Sequence, residues 1–180
     1  MNALRVKARV TGAVYLLYFL TAVLGQSLTV RGHTTSGLAI NLLSAALYVA
    51  LTVLLYYLFK PVNATLSALA AVLSLAGCAI TVLNLFHLAS QLSPLLFFGP
   101  YCLLLGYLIL RSTFLPRFLG VLLVLAGVGW LIFVTLPPTS HLSVYIEGLG
   151  ILAEGLFMLW LLIRGVSSPL VATRRATLRS

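Results

Sequence analysis

Acidic residues are almost absent from this chain of 180 residues. It contains no aspartate, and Glu147 and Glu154 are its only two acidic residues. The absence of aspartate excludes an aspartyl dyad, a nucleophilic triad built on aspartate and an aspartate-rich cation site. Any carboxylate chemistry in this protein must therefore use one or both of these glutamates.

Cysteine and histidine are also scarce. Cys78 and Cys102 fall inside apolar segments, so we expect small buried packing residues, neither halves of an exported disulfide nor a redox pair. His33, His87 and His141 show neither HExxH nor HxxxH spacing. A bis-histidine haem site needs a second histidine within the apolar segments, and the sequence has none. We therefore expect no cofactor and no metal.

Charge of either sign is rare, and apolar residues dominate. Only 7% of the residues are charged and 62% are hydrophobic, whereas about 25% of a soluble domain is charged. The chain is therefore predicted to be an integral membrane protein. Its formal net charge is +9, but the basic residues lie between and outside the apolar runs, so membrane topology explains them better than a nucleic-acid partner does.

Six apolar segments have the length of membrane helices. They lie at residues 10–30, 37–59, 62–90, 94–110, 118–136 and 144–163, and a basic tail follows at 164–180. The sequence therefore predicts an all-α, polytopic membrane protein with a single domain of six transmembrane helices. Six crossings place both termini on the same side of the membrane.

The basic residues predict which side that is. If both termini are cytoplasmic, ten of the eleven basic residues lie inside and Arg31 alone lies outside. Short loops are where the positive-inside rule applies. We therefore predict a protein of the plasma (inner) membrane with both termini in the cytoplasm. Its basic tail is expected to be attracted to anionic lipid.

An internal repeat relates two parts of the chain. Residues 54–77 align without gaps with residues 104–127, and Tyr57 matches Tyr107. This pattern favours a parallel duplication of a helical hairpin, in which helices 2 and 3 correspond to helices 4 and 5. Leucine-rich helices also match by chance, so the sequence leaves both explanations open.

The polar residues inside the apolar segments predict a site. Glu147 and Glu154 are seven residues apart and therefore share one helix face. An ionisable side chain at bilayer depth costs about 2.5–3.5 kcal/mol, so it usually has a partner or a function. The predicted topology places Asn84, His87 and Asn41 in the outer half of the membrane. We therefore predict an outward-facing polar pocket around Glu154, with these five residues as candidate ligand-binding residues.

Helix 3 carries small and polar residues on one face, where another helix can approach closely. These residues are Ala70, Ser74, Gly77, Thr81 and Asn84. Helix 6 has glycines beside its two glutamates. We therefore predict that helix 3 packs near helix 6, so that Glu154 faces Asn84 and His87.

Three functions remain open at this point. The favoured hypothesis is that the pocket binds or transports a small molecule, a lipid or a proton. The alternative is a non-catalytic structural or partner-binding membrane module, in which Glu154 bonds a neighbouring helix. The third is an intramembrane enzyme that uses a metal or haem at His87, and we favour an enzyme less. The sequence also leaves open whether copies of the chain form a homo-oligomer.

A resemblance to a known family emerges from four segments. The most specific is GYLILRSTFLPRFLGVLLVLAG at residues 106–127, and the others are LYYLFKPVN at 55–63, EGLFMLWLLIRG at 154–165 and RVTGAVYLLYFLTAVLG at 9–25. Together they resemble a bacterial membrane family catalogued as domain of unknown function four-three-eight-six. The resemblance implies an inner-membrane protein of six to seven helices, often with an acid at the position of Glu154, and it implies no activity.

Overall fold

The computed structural model describes residues 2–89, 91–135 and 141–166, and it describes side chains from residue 5 onward. All the regular secondary structure in these residues is helical. The six helices are α1 (Asn2–Val30), α2 (Thr34–Phe59), α3 (Ala64–Leu85), α4 (Leu95–Arg111), α5 (Arg117–Thr135) and α6 (His141–Ile163). The predicted all-α class is therefore confirmed. Most of the predicted basic tail lies outside the described residues.

The helices have the dimensions of membrane spans. Within the described ranges, α1, α2, α3, α5 and α6 are each long and apolar enough to cross a membrane. Helix α4 is apolar but has only 17 residues, which at 1.5 Å per residue is about 26 Å, against a hydrocarbon core of about 30 Å. This architecture is consistent with a polytopic membrane protein.

The six helices form a closed ring. Each helix packs against its neighbours in sequence, and α6 returns to pack against α1. At this last contact Arg9 Nη2 donates a hydrogen bond to the carbonyl of Ile163 at 3.4 Å. The first and last described helices therefore begin and end at the same end of the bundle. We call it the basic end, and we call the opposite end, which carries the α1–α2 turn, the Arg31 end.

Aromatic and basic side chains pair at the basic end. The C-terminal turns of α2, α4 and α6 each place a cation four residues after an aromatic ring, at 5.0–5.7 Å from its centroid. The pairs are Tyr56–Lys60, Tyr107–Arg111 and Trp160–Arg164. Such pairs hold an amphipathic side chain at a membrane–water boundary, with its apolar part inward and its charge in water.

Glycine lets α4 and α5 touch along their backbones. A Cβ on Gly106 would lie 2.7 Å from the carbonyl oxygen of Gly120, and a Cβ on Gly127 would lie 2.8 Å from that of Gly99. Real Cβ contacts are not this short, so only glycine fits at these positions. The two glycine pairs define the antiparallel register of the α4–α5 hairpin and the tight packing that membrane helices use.

Two helix boundaries differ clearly from prediction. Helix α1 begins at Asn2, because its basic lead contains no helix-breaking residue, although the span was predicted from residue 10. Helix α3 ends at Leu85, five residues before the predicted end. There, the N–H of Leu88 bonds the carbonyl of Leu83 at 3.0 Å, and His87 adopts φ 60°. This is a Schellman turn, which terminates a helix.

Candidate functional site

A cavity of about 250 Å³ lies at the Arg31 end, between α1, α2, α3 and α4. We call it the α1–α4 cavity. Hydroxyl, amide and aromatic groups supply its polar lining, and no charged side chain among the described residues lines it. The polar members are Tyr18, Gln26, Asn41, Ser44, Tyr48 and Thr81. Such a site offers hydrogen bonds without offering a counter-charge.

A row of aromatic rings lies at the inner end of the cavity. The ring centroids of Tyr18 and Tyr48 are 4.6 Å apart, and those of Tyr48 and Phe98 are 5.4 Å apart. Both contacts are edge-to-face, the arrangement that aromatic quadrupoles favour. Because the three rings come from α1, α2 and α4, the row ties three helices together at the inner limit of the cavity.

Asn41 is fixed at the outer part of the cavity by α1. Its Nδ2 donates a hydrogen bond to Thr29 Oγ1 at 3.4 Å. Its Oδ1 lies so close to Gly25 that a Cβ there would overlap it. The missing side chain of Gly25 therefore makes room for the Asn41 amide between α1 and α2.

Glu154 lies about one helical turn closer to the basic end than this aromatic row. The Tyr15 hydroxyl donates a hydrogen bond to Glu154 Oε2 at 2.8 Å and so links α1 to α6. Tyr15 is only 1% exposed, and its ring is 6.1 Å from that of Tyr18. Glu154 is half-buried and does not line the α1–α4 cavity. Tyr15 and Tyr18 therefore lie between Glu154 and the cavity.

The structure brings together only part of the predicted site. Asn41 lines the cavity, and Glu154 lies behind it. Glu147 is exposed on α6, and His87 is exposed at the left-handed turn that ends α3. Asn84 is half-buried and donates to the carbonyl of Leu92 at 3.0 Å, so its amide holds the α3–α4 connection. Asn84 and His87 thus make no contact with Glu154.

The predicted packing of helix 3 against helix 6 is wrong, because α3 packs between α2 and α4. Ala70, Ser74 and Gly77 of the small-residue face of α3 are buried, as their spacing predicts, but they face these two neighbours. Ser74 Oγ lies 2.6 Å from Thr52 Oγ1 of α2. A Cβ on Gly77 would lie 2.9 Å from the Phe98 ring of α4. The sequence signal was sound, but it did not specify the partner helix.

Sequence reasoning missed the contribution of α1. Tyr15, Tyr18, Ala22 and Gln26 follow one another at intervals of three and four residues, which places them on one helix face. This polar and aromatic face is visible in the sequence, but the predicted site was centred on Glu154 and included no residue of α1.

Metal ligands do not converge in the described parts of the chain. No group there of three His, Cys, Asp or Glu side chains could hold a metal ion. Cys78 and Cys102 are buried free thiols, as predicted for packing residues. A metal site at His87 would therefore need its ligand side chains to be arranged differently from the described structure.

Comparison with known proteins identifies the family. The family model described as "Domain of unknown function (DUF4386)" matches residues 83–165. An uncharacterized protein of Archaeoglobus fulgidus is 33% identical over 127 residues, which cover 65% of this chain and 76% of that relative. The chain belongs to the DUF4386 family. No solved structure matches it.

The DUF4386 match covers little of the cavity. It begins near the end of α3 and continues through α6, so it includes Glu154 but neither α1 nor α2. The cavity residues Gln26, Asn41 and Ser44 all precede it. The DUF4386 assignment therefore supports the fold and assigns no ligand to the cavity.

Helix packing gives a physical reason for the DUF4386-like run at residues 106–127. Gly106, Gly120 and Gly127 all lie in this run and bring α4 and α5 into backbone contact. In the turn between the two helices, the Ser112 hydroxyl donates to the carbonyl of Ile109 at 2.8 Å. The run that resembles the family most clearly is therefore a tightly packed hairpin.

Proposed function

We propose that the α1–α4 cavity binds a small, neutral, amphipathic molecule. The observation that carries this proposal is an uncharged lining that combines amides and hydroxyls with an aromatic inner end. A charged ligand would lose its hydration there without finding a counter-charge, which costs several kcal/mol. A neutral ligand can place its polar group at Gln26 and Asn41 and its apolar part against Tyr18 and Phe98.

The size of the cavity restricts the ligand further. Pockets for drug-sized ligands have volumes of about 300–1,000 Å³, whereas this cavity has about 250 Å³. The ligand is therefore a small metabolite or a single polar group of a larger amphiphile. This proposal keeps the binding half of the sequence hypothesis and moves its centre from Glu154 to the uncharged lining.

A matched pair of cavity-filling variants tests the proposal. Ala45 and Ala46 both border an open groove between α2 and α3, but only Ala45 also lines the α1–α4 cavity, and Ala46 is exposed. The full chain is extracted with its native lipid, and co-purifying small molecules are measured by mass spectrometry against lipid extracted without the protein. We expect wild type and Ala46→Leu to retain a neutral species that Ala45→Leu loses. Equal retention in all three proteins, or no enriched neutral species in wild type, would overturn the proposal.

A structural module is the second candidate function. The hydrogen bond between Tyr15 and Glu154 favours it, because the mid-depth carboxyl is engaged by a neighbouring helix. If the protein has only this structural role, the hydrogen bond holds α1 and α6 together and no small molecule is expected to co-purify. The co-purification experiment therefore separates the two candidates.

We also propose that the Arg31 end faces away from the cytoplasm, in the plasma membrane. All the described Lys and Arg side chains except Arg31 lie at the basic end, which the positive-inside rule places in the cytoplasm. In intact cells, we expect a membrane-impermeant maleimide to label Arg31→Cys, and to label Lys60→Cys only after permeabilisation. The reverse pattern would contradict this orientation.

A further inference from the structure

A second cavity, of about 580 Å³, lies between α1 and α6 at the Arg31 end. We call it the α1–α6 groove. Its wall follows α1 from Phe19 to Arg31, with Val23 between them, and Ile151 of α6 lies opposite. The twelve helical steps from Phe19 to Arg31, at 1.5 Å each, span about 18 Å, close to the ~15 Å of hydrocarbon in one leaflet. The groove thus has the length of one acyl chain.

Close contacts between α1 and α6 lie towards the basic end. There, Gly12 lies against the backbone of Leu162, and Tyr15 bonds Glu154. Further along, Gly148 has nothing within 4 Å of the position its Cβ would occupy. Gly148 is three residues before Ile151 and shares its helix face, so α6 leaves open space on the side of the groove, which an acyl chain can fill.

Charge is concentrated at one point of the groove. Arg31 lies at its outer end and is exposed, and it forms no ion pair or side-chain hydrogen bond with the described residues. It is the only Lys or Arg between Arg9 and Lys60. The carboxylate of Glu147, also at this end, does not pair with it. A guanidinium above an apolar groove is complementary to a phosphate attached to an acyl chain.

We propose that the α1–α6 groove binds an anionic phospholipid, with its phosphate at Arg31 and one acyl chain along Val23 and Phe19. The acyl chain covers the apolar walls that α6 leaves uncovered, and the headgroup neutralises Arg31, the one Lys or Arg that the described residues place at this end of the bundle. The groove shares Tyr18, Ala22 and Gln26 with the α1–α4 cavity, but this proposal does not depend on the neutral ligand proposed there.

Photocrosslinking of the full chain in lipid nanodiscs tests the proposal. The probes are phosphatidylglycerol and phosphatidylcholine, each with a photoreactive group on one acyl chain, and crosslinked positions are mapped by mass spectrometry. We expect phosphatidylglycerol to label the segment from Phe19 to Arg31 more than phosphatidylcholine does. The expected excess is about fivefold, the factor that corresponds to about 1 kcal/mol per basic residue near a lipid surface.

Two sets of variants locate the site. Arg31→Gln is expected to remove the excess while Arg31→Lys keeps most of it, and Arg111→Gln at the basic end is expected to leave it unchanged. Val23→Trp fills the groove and is expected to reduce labelling by both probes. Its control is Val72→Trp, since Val72 is 62% exposed and Val23 64%. An unchanged excess in Arg31→Gln, equal labelling by both probes in wild type, or crosslinks between two copies of the chain in this segment would overturn the proposal.

Discussion

The hydrogen bond between Tyr15 and Glu154 can be measured as a coupling free energy. Tyr15→Phe removes the hydroxyl that donates to Glu154 Oε2 at 2.8 Å and leaves the ring contacts with Phe19 and Phe157 in place. Glu154→Gln keeps an acceptor oxygen at the same position, so we expect a smaller loss of stability. In Glu154→Leu the Tyr15 hydroxyl is left without an acceptor. The double variant Tyr15→Phe/Glu154→Leu removes both polar partners together.

The expected magnitude follows from the environment of this bond. Leaving one buried polar partner unsatisfied costs about 1–3 kcal/mol. In membrane proteins, double-mutant cycles for hydrogen bonds between helices average about 0.6 kcal/mol and reach about 1.7 kcal/mol. Tyr15 is 1% exposed, so we expect a coupling in the upper half of that range, about 1–1.7 kcal/mol.

Reversible unfolding in mixed micelles, by titration with a denaturing detergent, supplies the four free energies of unfolding for this cycle. Tyr145→Phe is the matched control, because Tyr145 is 74% exposed on the same helix as Glu154. We expect it to change the free energy of unfolding by less than about 0.5 kcal/mol. Additive effects of Tyr15→Phe and Glu154→Leu would refute the reasoning, because they would show that the two side chains do not stabilise each other.

Further predictions concern helix packing and one turn. Gly106→Ala is expected to lower the free energy of unfolding by about 1–3 kcal/mol, because its Cβ would meet the carbonyl of Gly120 at 2.7 Å. At Gly155 an added Cβ would have nothing within 4 Å, so Gly155→Ala is expected to leave the free energy of unfolding unchanged or raise it by up to about 1 kcal/mol. Equal losses of stability in Gly106→Ala and Gly155→Ala would contradict the backbone contact between α4 and α5. His87 has φ 60°, a left-handed conformation that glycine adopts at lower cost, so His87→Gly is expected to raise the free energy of unfolding by about 0.5–1 kcal/mol. A lower free energy of unfolding would instead assign the His87 side chain a role in the fold.

The order and type of the helices were predictable because hydrophobicity is a property of whole segments. Each apolar run had to be a helix, since a backbone in hydrocarbon must satisfy its own hydrogen bonds. The end of α3 was harder to predict, because a Schellman turn usually has glycine at its left-handed position and this one has His87. A sequence search for a helix stop passes over such a residue. The proposed duplication of the hairpin stays a prediction.

The site was only partly predictable because partner helices are chosen by shape. The spacing on α3 identified a buried face, and Ser74 and Gly77 do lie on it. That spacing is satisfied equally by α6 or by α2 and α4, and only the packing of whole helices decides between them. The cavity escaped prediction for another reason. Its lining is uncharged. In an apolar segment, tyrosine and glutamine indicate a binding site much less clearly than a carboxyl group does.

Helix α1 connects the two proposed binding sites. Tyr18, Ala22 and Gln26 line both the α1–α4 cavity and the α1–α6 groove, so one face of this helix borders both. A shift of α1 that narrows one space therefore changes the other. The Tyr15–Glu154 hydrogen bond lies about one helical turn from this shared wall, towards the basic end, and restrains such a shift. If occupancy of the groove moves α1, it changes the affinity of the cavity for its ligand, and by thermodynamic linkage the ligand changes lipid affinity by the same factor.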